Sequence, residues 1–508
     1  MKKILEENIE FDIHIEKLGT VDNSDIFGFY KYLINKYDVK NHVLLESASE
    51  NTKEALYSFI ALKPDFMLKI HKEHFEIYDI TTERGENIKN YIESKDPAEQ
   101  RPHNPLPFKD NVEYNMIALD TLSHLTPYSN LPFTELFPRN IFYGGMLGYI
   151  GYDVVAPYVG YKPMSDFPDI VMGLYTKVLV YSHKSNSIFM IDNSVDDYSK
   201  DKEIRYQLSL FNRNHSSIKK KSFPTDIEEI DESCFRSNTS KSAHKKMVEK
   251  TKEHIFKGDI IQAVISRRLY AESKVEPLGI YEILRKLNPS PYMYNINFDK
   301  VHVIGSSPEA LISKNKDILS TVPIAGTVRR GKTPEEDLTL EKQLINDPKE
   351  QAEHLMLVDL ARNDLAKVSY PGTVETHEFM TIQKYQKVQH IVSKVQSKSP
   401  LDGYQVLKSV FPAGTLSGAP KKRAMEIINE LETESRGPYG GGVGYFSFNG
   451  DMAFAIAIRT LFGKDNKYFA QAGGGIVADS KPHEEYLETY NKLYSVLKSI
   501  KIAEVSEQ

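Results

Sequence analysis

The sequence predicts an α+β fold, and three features predict it. Short alternating apolar runs such as Val43-Leu44-Leu45 and Lys177-Val178-Leu179-Val180-Tyr181 read as strands, because successive side chains on a pleated strand face opposite ways. Past residue 238 such runs alternate with longer patterns of helical period. Glycine clusters punctuate both parts, as tight turns and close backbone packing require.

Taken in order, the first half carries the strand runs and the segment "YGGMLGYIGYD" (Tyr143 to Asp153), whose glycines point to close packing. A polar stretch from Asn212 to Asn238, with a basic run followed by an acidic one, reads as a linker between a region at 1–211 and a domain at 239–508. In the second half, Asp347-Pro348 is an N-cap followed by proline at the first helical position, opening a helix through "KEQAEHLMLVDLARNDL". A second helix follows Asp479-Ser480-Lys481-Pro482 and runs through "HEEYLETYNKLYSVLKSI" towards the C-terminus.

The 508 residues are 40% hydrophobic and 26% charged, ordinary for a globular enzyme with a sizeable core. A net charge of −6 gives no broad footprint for nucleic acid, and Lys219-Lys220-Lys221 reads as a solvated linker edge. The single cysteine, Cys234, excludes an intramolecular disulfide and a cysteine-only metal cluster. Its neighbours Ser233 and Phe235 are not the glycines of a nucleophilic turn, so Cys234 reads as inert. The first residues turn acidic before any apolar run, unlike a secretory signal, and no run reaches membrane-spanning length. A cytoplasmic enzyme is the expectation.

On the first helix Glu350 and Glu353 lie three apart and share a face. On the second, Glu485, Glu488 and Lys492 occupy i, i+3 and i+7, again one face. Like charges so placed repel, which leaves a solvated acidic face or a cation site. Apolar neighbours, Leu355 to Val358 and Tyr486, Leu487 and Leu493, argue that little of either surface is free. Hard oxygen ligands from two facing helices suit magnesium holding an anionic substrate. "PIAGT" (Pro323 to Thr327), "GPYGGGVGY" (Gly437 to Tyr445) and "QAGGGIV" (Gln471 to Val477) read as glycine loops able to present backbone N–H groups to carboxylates, or as plain turns. Arg459 ends the apolar run "FAIAIRT", either paired structurally or aimed at an anion. His390, in "KVQHIVSKV", is a strand residue, either structural or an acid–base group.

Together these segments resemble the chorismate-utilising enzymes, most closely the large subunits of anthranilate synthase. The matching strings are "GSSPEALI" (Gly305 to Ile312), "PIAGT", "DPKEQAEHLMLVDLARNDL", "HIVSKV", "FPAGTLSGAPKKRAMEII" (Phe411 to Ile428), "YGGGVGY", "AIAIRT" and "AGGGIVADS", in order between Lys241 and Lys498. The first half matches more sparsely, through "LLESAS", "YSFIA" and "GGMLGYIGYD". The resemblance implies large antiparallel sheets packed as a sandwich with helices outside, in two interwoven subdomains. It implies a regulatory region at 1–211 and a chorismate-binding catalytic domain at 239–508. Glu353 and Glu488, with Glu350 and Glu485 beside them, are implied as the Mg2+ site. Gly326, Thr327, Tyr439, Arg459, the Gly473-Gly474-Gly475 backbone and Lys492 are implied to hold the two chorismate carboxylates. His390, Glu350 and Thr327 are implied as catalytic, His390 assisting pyruvate elimination and Glu350 donating a proton to the departing hydroxyl.

Within the family, enzymes that add water carry a lysine base where this chain has Gln262, and aminodeoxychorismate synthases carry a nucleophilic lysine where it has Ala325. Direct ammonia addition, giving anthranilate and pyruvate, is the expected reaction. Aminodeoxychorismate synthase is the alternative, as is an inert tryptophan-sensing scaffold, against which every central carboxylate and Arg459 are present. Glu46, Ser47, Pro291, Tyr292 and Met293 resemble a feedback site for L-tryptophan, although Ala55-Leu56 stands where the family has Gly-Arg. With no amidotransferase cysteine, the chain is expected to use free ammonia and to need a glutamine amidotransferase small subunit to draw on glutamine.

Overall fold

The computed structural model describes residues 13–21, 25–47, 56–71, 74–93, 116–125, 137, 141–193, 199–215, 230–385 and 388–507. The lysines at 219–221, Ala48, Ser49 and Ala55 lie outside them.

Two antiparallel sheets dominate, of 12 and 11 strands among the described residues. The first runs, edge to edge, through His14–Thr20, Ser187–Asp192, Lys177–Ser182, Tyr57–Leu62, Asn41–Glu46, Tyr292–Phe298, Val301–Ser307, Thr460–Lys464, β4 (Lys467–Ile476), β1 (Gln262–Glu272) and Arg236–Ser237. The second runs through β2 (Ile324–Arg329), β3 (Val388–Lys398), Ile318–Thr321, Ala310–Asn315, Met452–Ile456, Gly442–Ser447, Gly145–Ile150, Ile170–Tyr175, Phe66–His71 and His74–Tyr78. Each sheet takes strands from both sides of the 212–238 stretch. That stretch therefore divides the sequence, while the halves interleave in space.

Alternation along the strands explains the layers. In the first sheet Val43, Ile296 and Val303 join the inter-sheet core with Leu147, Val171 and Phe454 of the second. Their neighbours Leu44, Met293 and Ile304 turn the other way, onto helices that supply Tyr30, Leu284 and Leu497. Sandwich and outer helices follow from one period-two pattern. The "YGGMLGYIGYD" glycines pack as expected: a Cβ on Gly148 would lie 2.1 Å from the Val171 carbonyl oxygen.

The 212–238 stretch carries secondary structure at both of its described ends. The helix Ser199–His215 absorbs residues 212–215, and 230–238 is built against β1, with Arg236 and Ser237 pairing Tyr270 and Leu269. Three helices position the site: α1 (Lys241–Phe256), α2 (Pro348–Ala366) and α3 (Pro482–Glu507). No helix among the described residues is long and apolar enough to cross a membrane.

Candidate functional site

α2 begins where the sequence places it. The Asp347 carboxylate accepts hydrogen bonds from the N–H groups of Lys349 and Glu350, at 2.8 and 3.2 Å, with Pro348 in the first turn. The cap fixes the first turn, and the first turn aims Glu350. Its carboxylate stands over Gly326, where an added Cβ would lie 3.1 Å from Oε2. Gly326 is left-handed, with φ +62°, at a bulge in β2 where the pairing with β3 slips between Ala325 and Thr327. Only glycine adopts that conformation freely and leaves room for the carboxylate.

From the opposite side comes α3. Glu485 reaches β4, where a Cβ on Gly474 would lie 2.5 Å from its Oε2. Lys492 donates to the Gly473 carbonyl at 2.8 Å and pairs with Glu488 at 2.6 Å. Burial is the largest cause raising the pKa values of Glu350, Glu353 and Glu485, and the Glu488 charge raises each further. The carboxylates of the two helices therefore face one another across one space.

Those residues suit a hard divalent cation in kind. Oε2 of Glu485 is buried without a hydrogen-bond partner, and the donors are oxygens carrying mutually repelling charges. Among the described residues no three His, Cys, Asp or Glu side chains converge closely enough to coordinate an ion as they stand.

His390 lies on β3 beside the bulge. Its Nδ1 is 2.9 Å from the Gly326 carbonyl oxygen and 3.0 Å from the Thr327 hydroxyl. A carbonyl only accepts, so Nδ1 carries the proton and Nε2 keeps its lone pair in the neutral ring. Burial, reinforced by the Arg459 charge, pushes the His390 pKa down and favours that neutral form.

Arg459 is the cation of the site. Burial lowers its pKa, and neither an ion pair nor a side-chain hydrogen bond holds its guanidinium among the described residues. Its φ of +50° is a left-handed conformation that costs a non-glycine residue about 1–3 kcal/mol. A half-buried, strained arginine that feels the Glu488 charge but forms no direct ion pair is arranged to receive an anion. Tyr439, fully buried, sets its hydroxyl at the Gly473 N–H.

Three expectations need correction. Gly473-Gly474-Gly475 is not a loop but the interior of β4, paired with Ser266, Ile265 and Val264 of β1. Its missing side chains make room for Glu485 and Gln262, and Gly473 still turns its N–H to Tyr439 and its carbonyl to Lys492. "PIAGT" likewise lies largely in β2. Leu355 and Leu487 are 49% and 45% exposed, so the outer faces of α2 and α3 are less covered than their composition suggested.

Gln262 is buried, and a Cβ on Gly475 would touch its Nε2 at 2.1 Å. Ala325 is buried beside the Gly326 bulge. The tryptophan-type residues also gather: Glu46 pairs Met293 across neighbouring strands, and Ser47, Pro291 and Tyr292 are half-buried beside them. The Glu46 carboxylate accepts from Tyr281 at 2.6 Å and from both Arg285 nitrogens at 2.6 and 2.7 Å.

One carboxyl escaped the sequence reading. Glu309, in "GSSPEALI", accepts from Thr415 Oγ1 at 3.0 Å, and burial pushes its pKa up to about 7 despite the Lys492 charge. Its backbone carbonyl accepts from Ile456 N–H at 3.0 Å, on the segment that leads to Arg459. The signal was a lone acid between two apolar strand runs.

Gly474→Ala should be severe without unfolding the strand. The new methyl displaces Glu485, and a shift of about 1 Å at a reacting site costs about 10²-fold. We expect turnover to fall by about that factor at an unchanged melting temperature. Unchanged turnover would remove Glu485 from the site.

A family model described as chorismate binding enzyme matches residues 80–498. Anthranilate synthase component 1 of Aquifex aeolicus is 42% identical over 476 residues, covering 92% of this chain and 90% of that protein. Its counterpart in Pseudomonas putida is 38% identical, covering 92% and 91%. The crystal structure of anthranilate synthase component I from Streptococcus pneumoniae superposes with a TM-score of 0.67 at 33% identity, covering 87% of this chain and 92% of that one. The menaquinone-specific isochorismate synthase of Escherichia coli, at 16% identity and a TM-score of 0.64, shares the fold.

Proposed function

The chain belongs to the chorismate-binding enzyme family, and within it we propose that it is an anthranilate synthase large component, converting chorismate and ammonia to anthranilate and pyruvate. The observation that carries the choice is Gln262, a neutral amide packed over Gly475 where a water-activating base would have to stand. Ala325 offers no nucleophile for a covalent route, and the relatives at 42% and 38% identity are both anthranilate synthase component 1.

The residues divide the work. Arg459, Tyr439 and Lys492 receive the substrate carboxylates, the Arg459 fork replacing water with fixed donors. Glu350, Glu353, Glu485 and Glu488 hold Mg2+, which when bound offsets their repulsion and the charge of a substrate carboxylate. As ammonia adds to the ring, the protonated Glu309 carboxyl gives its proton to the departing hydroxyl, which leaves as water. We give that role to Glu309 and leave Glu350 to the metal, because Glu309 is held by Thr415 within the field of Lys492 and burial raises its pKa to about 7. Nε2 of neutral His390 takes the ring proton in the second step, the enolpyruvyl group leaves as pyruvate, and the ring becomes aromatic. Thr327 holds the His390 ring in place through Nδ1.

Pyruvate release from chorismate and magnesium is the test. It should require ammonium salt, and glutamine alone should not substitute, because glutamine needs an amidotransferase partner. Turnover to a hydroxylated product without ammonium would contradict the assignment. L-Tryptophan should lower the rate by binding near Glu46, Ser47, Pro291, Tyr292 and Met293. The chain has no tryptophan of its own, so indole fluorescence reports the bound ligand directly.

A further inference from the structure

The segment that reads as a linker supplies a half-buried acid to a buried arginine behind the carboxylate site. Arg267 of β1 is fully buried, and its Nε donates to Thr489 Oγ1 at 2.6 Å. Its guanidinium forks onto Glu232, with NH2 at 3.2 Å from Oε2 and NH1 bonded to Oε1. The same guanidinium lies 4.1 Å from the ring centroid of Tyr486, whose hydroxyl donates to Glu232 Oε1 at 2.7 Å. Lys241 of α1 approaches that ring at 5.6 Å, and Tyr490 donates to the Ile230 carbonyl.

Tyr486 and Thr489 each follow one residue after Glu485 and Glu488. One face of α3 is therefore bolted to β1 and residues 230–232 while the adjacent face carries the carboxylates and Lys492. On a helix one residue is about 100° of rotation, so whatever fixes Tyr486 and Thr489 fixes the direction of the acids.

We propose that Glu232, acting through Arg267, Tyr486 and Thr489, is a positioning residue that sets the rotation of α3 and so the geometry of Glu485 and Glu488. The inference rests on the reading that these acids hold a divalent cation. Outer partners that orient metal ligands typically contribute about 10–100-fold in metal affinity.

The test is Mn2+ binding to the full chain, followed by electron paramagnetic resonance without substrate, beside thermal unfolding. Glu232→Gln should weaken Mn2+ binding about tenfold, and Tyr486→Phe, which keeps the stacked ring and loses only the hydroxyl, about two- to fivefold. Leu497→Ala, deep in the apolar side of α3, serves as the control for destabilisation alone and should leave Mn2+ affinity unchanged. Should Glu232→Gln fail to fold, Tyr486→Phe decides. Wild-type Mn2+ affinity in folded variants would overturn the proposal, as would an equal loss in Leu497→Ala. A wild-type protein that binds no Mn2+ would instead overturn the metal reading beneath it.

Discussion

Replacing Glu309 by glutamine is expected to lower kcat by about 10²–10⁴-fold, the usual contribution of a positioned general acid. The amide keeps the size of the carboxyl, and its oxygen can still accept from Thr415, so the melting temperature and the KM for chorismate should stay near wild type. The pH profile supplies the second signature. The acid works only when protonated, so the rate falls as pH rises through its pKa, raised by burial to about 7. Free ammonia must be held constant across the titration, since ammonium deprotonates over the same alkaline range. Glu309→Gln should remove that descending limb. A variant retaining both the rate and the limb would return the acid role to Glu350.

Arg459→Ala should separate binding from stability. Truncating one partner of a buried, hydrogen-bonded charge pair costs about 2–5 kcal/mol, here paid only when the anion is present. We therefore expect kcat/KM for chorismate to drop by about 30- to 4000-fold, since each 1.4 kcal/mol is tenfold. The unliganded protein should not be weakened in proportion. Removal relieves a half-buried charge that no carboxylate pairs directly among the described residues, while alanine keeps the left-handed backbone at φ +50°. Kinetics and thermal unfolding on the same preparation check both halves. A large fall in melting temperature would mean that Arg459 supports the fold.

Much of the site was legible because its signals are local. Asp347-Pro348 announced the start of α2, and helical spacing put Glu350 with Glu353 and Glu485 with Glu488. The "PIAGT" glycine was singled out as well, though the need for φ +62° beneath a carboxylate appears only in three dimensions. Other features depend on contacts distant in sequence. Glycines inside a strand look like a loop until the helix that fills their space is in place, as Glu485 does for Gly474. Glu309 looks like any acid between strands until burial raises its pKa. Residues 230–238 are polar enough to pass for a linker, yet Glu232 is bound by Arg267, 35 residues away. The interleaving of the two halves came from the family resemblance rather than from local pattern, because strand order is a long-range property, and here Asn41–Glu46 pairs Tyr292–Phe298.

The most direct test of the account is the identity of the product. Chorismate, magnesium and ammonium salt are incubated with the protein at mildly alkaline pH and separated by chromatography with fluorescence detection. The account predicts blue-fluorescent anthranilate with an equal amount of pyruvate, and neither product when a chelator removes magnesium. An amino-substituted chorismate without pyruvate, or no turnover with magnesium present, would contradict it.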